Sequence, residues 1–199
     1  LHGTSWGYIC PSETPEGQAV GIVKNLSMTC EISIGNSSEA VRHYIHKYIL
    51  SFEGIDIYTF NKMEYVKVLI NGDWLGFTDT PDTLVKDIKI KRKEGLIHHH
   101  ISIYWDIMTY CIHVYSDGGR PIRPLLVVEN NKLLFDSKIN EMLNQSNIKW
   151  INLVNKSISD DTYCIDYVDP YETNNTIICM DMNDIDKKKY THCEIHPSL

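Results

Sequence analysis

The chain has 199 residues, 43% of them hydrophobic and 23% charged, which is the balance of a globular body with an ordinary core and no long polar tract. Its formal net charge of -7 has the wrong sign for a free-standing nucleic-acid binder, because counterion release from phosphates needs a basic surface, so any such contact must be local. No apolar run nears the roughly 20 residues of a membrane span and no signal-peptide pattern opens the chain, so a soluble intracellular protein with no membrane contact is expected.

Residues 1–35 carry Gly3, Gly7, Pro11, Pro15, Gly17, Gly21 and Gly35, breakers frequent enough to keep any long regular element out. Asn36-Ser37-Ser38-Glu39 then resembles a capping box, with Asn36 accepting from a first-turn amide and Glu39 reaching back, ahead of Val41, Tyr44, Ile45, Tyr48 and Ile49 at helical spacing. From Tyr65 the pattern alternates: Val66, Val68 and Ile70 share one face, Asn71-Gly72 suits a two-residue hairpin turn, and the returning strand falls at 74–78. Thr80-Pro81-Asp82 offers a cap, a proline at the first helical position and an acid at the positive helix end, before Leu84, Val85 and Ile88 and a stop at Gly95.

The run Lys89-Ile90-Lys91-Arg92-Lys93 ends that helix, where the dipole favours cations, and reads as a solvated face. His98-His99-His100 invites a metal, but on a strand adjacent side chains point to opposite faces, and no built site is expected. Strands follow at 101–104 and 112–115, and Asp117-Gly118-Gly119-Arg120 turns the chain into the extended run Arg123-Pro124-Leu125-Leu126-Val127-Val128, its two arginines expected to pin carboxylates or carbonyls. A short helix at 139–144, an apolar segment at 150–154 and strands at 163–168 and 176–180 complete an α+β pattern, with a smaller second module from about residue 138.

Six cysteines without a C-x-x-C pair suggest reduced thiols, although the even count and triplets such as Asn25-Leu26-Ser27 and Asn174-Asn175-Thr176 would also suit a secreted glycoprotein. Cys193-Glu194-Ile195-His196 has half a zinc-site spacing and no second pair to complete it. The chain opens on Leu1 without an initiator Met and closes on motif-like residues, so it is expected to be cut at both ends. Trp6-Gly7-Tyr8-Ile9-Cys10-Pro11-Ser12-Glu13-Thr14-Pro15-Glu16-Gly17-Gln18 combines two prolines, carboxylates and permissive glycines, as suits a rigid irregular loop that holds polar side chains, or simply a rigid surface turn.

The stretch Cys10-Pro11-Ser12-Glu13-Thr14-Pro15-Glu16-Gly17-Gln18-Ala19-Val20-Gly21-Ile22-Val23-Lys24-Asn25-Leu26-Ser27 resembles the CP-x-ETPEGQ-x-x-G-L-V-K-N-L-S signature of the second-largest (beta-type) subunit of multisubunit DNA-directed RNA polymerases. Three collinear blocks extend the resemblance: Asn71-Gly72-Asp73-Trp74-Leu75-Gly76, Ser116-Asp117-Gly118-Gly119-Arg120-Pro121-Ile122-Arg123-Pro124-Leu125 and Tyr190-Thr191-His192-Cys193-Glu194-Ile195-His196-Pro197-Ser198. Gln18, the Lys24-Asn25-Leu26-Ser27 string and the closing block are closer to the archaeal, eukaryotic and large-DNA-virus versions than to the bacterial one. Ser5, Ser12, Val20 and Leu199 depart from the usual residues.

The resemblance implies an internal piece of that subunit: residues 1–59 part of the fork region, 60–137 and 138–190 two external domains, and 191–199 the start of the hybrid-binding domain. It implies that this segment lies beside the RNA-DNA hybrid, contributes to DNA-templated RNA synthesis only within the assembled enzyme and is silent alone, with no catalytic and no metal-ligating residue of its own. Magnesium in the whole enzyme would be held mainly by the largest subunit, the partners being that subunit, the smaller subunits, template DNA and RNA. Localisation would be nuclear for a cellular enzyme, host-cytoplasmic or virion-borne for a viral one. Near the active centre we single out Glu16, which phosphates would repel and which therefore suits orienting a cation or accepting from a base or ribose hydroxyl. Gln18 can donate and accept in a direct contact, and Lys24 can offer charge to a phosphate. A docking platform for other subunits or transcription factors is the competing reading.

Overall fold

The computed structural model describes residues 2–51, 65–156 and 162–196; the expected 59/60 boundary and the last two residues of the closing block lie outside them. As the breakers predict, the opening holds only short 3-10 turns at Gly3–Ser5 and Gly17–Ala19 and a two-residue strand, β1 (Glu31–Ile32). Helix α1 (Glu39–Ile45) buries Val41 and Ile45 and runs into a 3-10 turn at His46–Tyr48. The expected capping box is not formed: Ser38 is the N-cap and its side chain makes no cap bond. The Asn36 side-chain amide instead donates to the Ile34 carbonyl at 2.8 Å and approaches His98 Nδ1 at 3.3 Å, because a short polar side chain satisfies whichever backbone group the local turn leaves open.

The first sheet has four strands in the order β3-β2-β5-β4: β2 (Val66–Ile70), β3 (Asp73–Thr78), β4 (Ser102–Asp106) and β5 (Cys111–Tyr115). Between β2 and β3, Asn71 and Gly72 take φ of +50° and +88°, the left-handed pair that matches strand twist in a tight hairpin. β2 and β5 are parallel, and the crossover between them includes helix α2 (Pro81–Lys93). Pro81 and Asp82 occupy its first turn as expected, but Thr80 makes no side-chain cap bond. Val41, Ile45, Val68, Ile70, Leu84, Ile88, Ile103, Ile112 and Val114 form one continuous core.

The second sheet is built on the nine-residue strand β6 (Pro121–Glu129). It pairs with β1, with β7 (Lys132–Leu133), with β8 (Ile165–Val168) and with β10 (His192–Cys193), which in turn pairs with β9 (Ile178–Cys179) in parallel. Helices α3 (Ser137–Asn144) and α4 (Trp150–Val154) cover it, and α5 (Pro170–Thr173) follows β8. Ile122, Leu126, Ile139, Leu153, Cys164, Ile165 and Cys193 belong to this second core. Among the described residues, two sheets and five helices make the fold α+β. Among the described residues no helix is long and apolar enough to cross a membrane.

The basic run is not a solvated face. Arg92 is 3% exposed and forks onto Glu172 through both terminal nitrogens at 2.8 Å, with a further bond to the Ile101 carbonyl. Lys89 reaches the same carboxylate at 3.4 Å, while Lys93 pairs with Glu129 and lies over the Tyr163 ring. The histidine triplet also departs from expectation. It occupies a turn, not a strand, and its rings meet at centroid distances of 4.3–4.8 Å.

Candidate nucleic-acid interface

Residues 10–25 form a loop closed at its foot like a purse. Ile9 and Leu26 make an antiparallel bridge, the Cys10 amide donates to the Asn25 carbonyl at 2.9 Å and the Ser27 amide to the Tyr8 carbonyl at 3.0 Å. The Ser27 hydroxyl also donates to the Gly7 carbonyl. Inside the loop Thr14 is the pin: its hydroxyl accepts from the Gly21 amide at 3.0 Å and donates to the Val23 carbonyl at 3.3 Å. The Asn25 side chain adds a bond to the Glu13 carbonyl at 3.2 Å. Gly17 and Gly21, at φ of +84° and +75°, make the bends that other residues adopt only at a cost.

The three residues singled out from sequence are all exposed on this loop, and none makes a hydrogen bond or ion pair among the described residues. Glu16 precedes the turn Gly17–Ala19 and Gln18 lies within it, so these two share one bend, whereas Lys24 stands at the foot beside Asn25. From a braced backbone the loop therefore presents polar side chains without protein partners among the described residues. Around them Val20, Ile22, Val23 and Met28 are also exposed, with Ile22 at 77% and Met28 at 72%. That is more apolar surface than a solvated turn carries, and it marks a face suited to being covered.

Beneath the loop lies a node that sequence reasoning missed. Arg123 of β6 is buried, and its Nη1 donates to both oxygens of buried Glu194 at 2.7 and 2.5 Å. Its guanidinium lies over the Tyr8 ring at 5.2 Å and against Gly7, where a Cβ would stand 2.6 Å from the guanidinium carbon. Burial pushes the Tyr8 phenol up to about 12, and the hydroxyl is held by the Val168 carbonyl and Thr173. The signal was present in part, since Arg123 and Glu194 fall in different collinear blocks and Gly7 stands just ahead of the signature stretch, but nothing local says that the three meet.

Arg120 behaves as expected, pinning Asp117 at 3.2 Å, Asp169 at 2.9 Å and the His100 and Tyr115 carbonyls. Gly118 is needed for space, as a Cβ there would stand 2.9 Å from the Gly35 nitrogen. At the half zinc spacing, Cys193 is buried next to Cys179 and burial raises its thiol to about 11, while His192 faces Thr191 and Asp166. All six cysteines are free, and among the described residues no three His, Cys, Asp or Glu side chains gather as a metal site.

This braced loop on a paired-sheet body matches two family models: that described as RNA polymerase Rpb2, domain 3, over residues 1–32, and that described as RNA polymerase Rpb2, domain 4, over 68–129. The class so defined is a subunit of a multisubunit RNA polymerase. The whole chain is similar to DNA-directed RNA polymerase II subunit RPB2 of Encephalitozoon cuniculi, at 37% identity over 209 residues that make up 18% of that relative. It is also similar to DNA-directed RNA polymerase subunit Rpo2 of Sulfolobus acidocaldarius (30%, all of this chain, 18% of the relative) and to DNA-directed RNA polymerase subunit 2 of Acanthamoeba polyphaga mimivirus (32%, all of this chain, 19% of the relative). The chain belongs to the family of second-largest subunits of DNA-directed RNA polymerase, and it spans less than a fifth of the length of these relatives.

Proposed function

We propose that this chain contributes to DNA-templated RNA synthesis from ribonucleoside triphosphates as part of a second-largest subunit, with residues 10–25 facing the RNA-DNA hybrid and the two sheets forming external domains. The observation that carries this is the loop itself: a backbone pinned by Thr14 and Asn25 that holds Glu16 and Gln18 out, unpaired, on one bend. Gln18 would donate to or accept from a base or ribose, Glu16 would orient a neighbouring cation or accept from a hydroxyl, and Lys24 would meet a phosphate. Partners on this reading are the largest and the smaller subunits, template DNA and nascent RNA. The location is the nucleus for a cellular enzyme, and host cytoplasm or virion for a viral one.

Nucleotide addition uses magnesium to activate the attacking hydroxyl and stabilise the leaving pyrophosphate. The described residues offer no cluster of carboxylates that fits it, so the ion would be held elsewhere, mainly by the largest subunit. The role left to this segment is positioning. In the assembled polymerase, Glu16→Ala and Gln18→Ala should each change elongation rate or fidelity, and Lys24→Ala should lower the salt slope of hybrid binding by about one unit; unchanged elongation in both of the first two variants rejects the assignment.

A docking role is favoured by one feature, the tip between β4 and β5. There Ile107, Met108 and Tyr110 stand exposed, Met108 at 88%, on a turn that Asp106 braces through the Met108 and Thr109 amides. On that reading Met108→Ser would release another subunit or factor from the purified complex and leave elongation by the remaining core intact.

A further inference from the structure

We infer that Arg123 and Glu194 are positioning residues for the loop of residues 10–25, a buried clamp that sets where Glu16 and Gln18 stand. The kinetic part of this inference rests on the function proposed above; the structural part does not.

Both arms of the loop fasten next to Arg123. The incoming arm passes Gly7 and Tyr8 directly over the guanidinium, and Gly7 has φ of +77° with no room for a side chain. The outgoing arm ties back to the same two residues through Ser27, then continues into β1, which pairs Glu31 with Ile122 and Ile32 with Pro121, the residues just before Arg123. Glu194 arrives from the far end of the chain, following β10, whose Cys193 pairs with Leu126. Arg123 Nε has no hydrogen-bond partner and faces Gly7, so among the described residues Glu194 is the one carboxylate that compensates this buried charge.

Neutralising Glu194 would leave a buried guanidinium without its counter-charge. The group that supports Gly7 and Tyr8 would then have reason to withdraw toward water, and the arm resting on it would lose its seat. Arg123→Lys keeps the charge but loses the guanidinium whose Nη1 meets both Glu194 oxygens and whose carbon lies over the tyrosine ring. Either change should therefore loosen the foot of the loop, 71 residues apart in sequence though the pair is.

Hydrogen exchange of the full chain tests this directly. In Glu194→Gln and in Arg123→Lys, the amides of Cys10, Gly21 and Ser27 should exchange about tenfold faster, while those of Val68 and Ile112 in the first sheet stay within about twofold. Unchanged loop amides in both variants, or equal acceleration at the reference amides, would overturn the clamp. In the assembled polymerase, Glu194→Gln should also be non-additive with Gln18→Ala in elongation rate, because a displaced Gln18 has less left to lose; strict additivity overturns the kinetic part. If Gln18→Ala alone does nothing while the exchange result holds, the proposed function fails and the clamp stands.

Discussion

The Arg92-Glu172 pair shows what a single residue can carry here. Burial works against charge on both, but each is the other's main compensation: Glu172 and Asp166 raise the Arg92 pKa, and Arg92 with Lys89 holds Glu172 below the usual carboxylate range. Removing one partner strands the other, so Arg92→Met should cost about 3–5 kcal/mol in urea denaturation, whereas Arg92→Met with Glu172→Leu should recover most of it. A double variant as unstable as the single would show that the arginine acts by packing and not by charge. Gly7→Ala belongs to the same scale. It places a Cβ against Arg123 at a positive φ and should cost roughly 1–3 kcal/mol, while Gly3→Ala, which meets nothing within 4 Å, should shift the urea midpoint imperceptibly. Neither effect was legible beforehand. Arg92 sits in a basic run that helix electrostatics alone explains, and its partner lies 80 residues away.

At the scale of elements, what reads from sequence is what local chemistry punctuates. The Asn71-Gly72 hairpin and the Pro81 helix start are found where spacing puts them, because positive φ and a missing amide are properties of those residues themselves. The two-residue strands β1, β9 and β10 carry no alternation of their own and exist only by pairing with distant chain, so only a broader segment at 176–180 hinted at one of them. The histidine turn was misread for the same reason. His100 Nδ1 accepts from the Ile34 amide and His98 Nδ1 from the His100 amide, both at 3.1 Å, which requires those nitrogens unprotonated. Burial, then the neighbouring His98, lowers His99 and His100 to about 4, below the usual value of about 6.5. Folded pKa values depressed in this way give stability that is fully present above pH about 6.5 and is lost as pH falls toward about 4. Asp166 and Glu172, also depressed, add a second loss below about pH 4. The urea midpoint should thus fall in two stages, and His100→Asn, which keeps an acceptor for Ile34, should flatten the first. Equal loss in wild type and variant between pH 6.5 and 4 would exclude the turn as its source.

Over the whole molecule, the two cores are stitched by polar bonds, and the second takes in β6, which precedes the module boundary expected near residue 138. Arg92 on α2 holds Glu172 on α5 and approaches Asp166 on β8 at 3.5 Å, and Arg120 joins Asp169 to the His100 and Tyr115 carbonyls. Asn175 bonds both the amide and the carbonyl of Trp105, covering the edge that β4 would otherwise leave open. The arginine bonds are buried or part-buried, and each loses its partner if either half opens, so opening one core strands charges that belong to the other. The consequence is a single cooperative transition. Trp74 and Trp105 report on the first sheet and Trp150 on the second core's helix α4, so single-tryptophan variants that retain one of them should share one urea midpoint. Replacing Arg92 and Glu172 together by Met and Leu, and Arg120 by Met, removes the arginine stitches while leaving the residues of both apolar cores unchanged. The midpoints should then separate. Coincident midpoints in that variant would mean that the apolar contacts between the halves, and not the ion pairs, make them one unit.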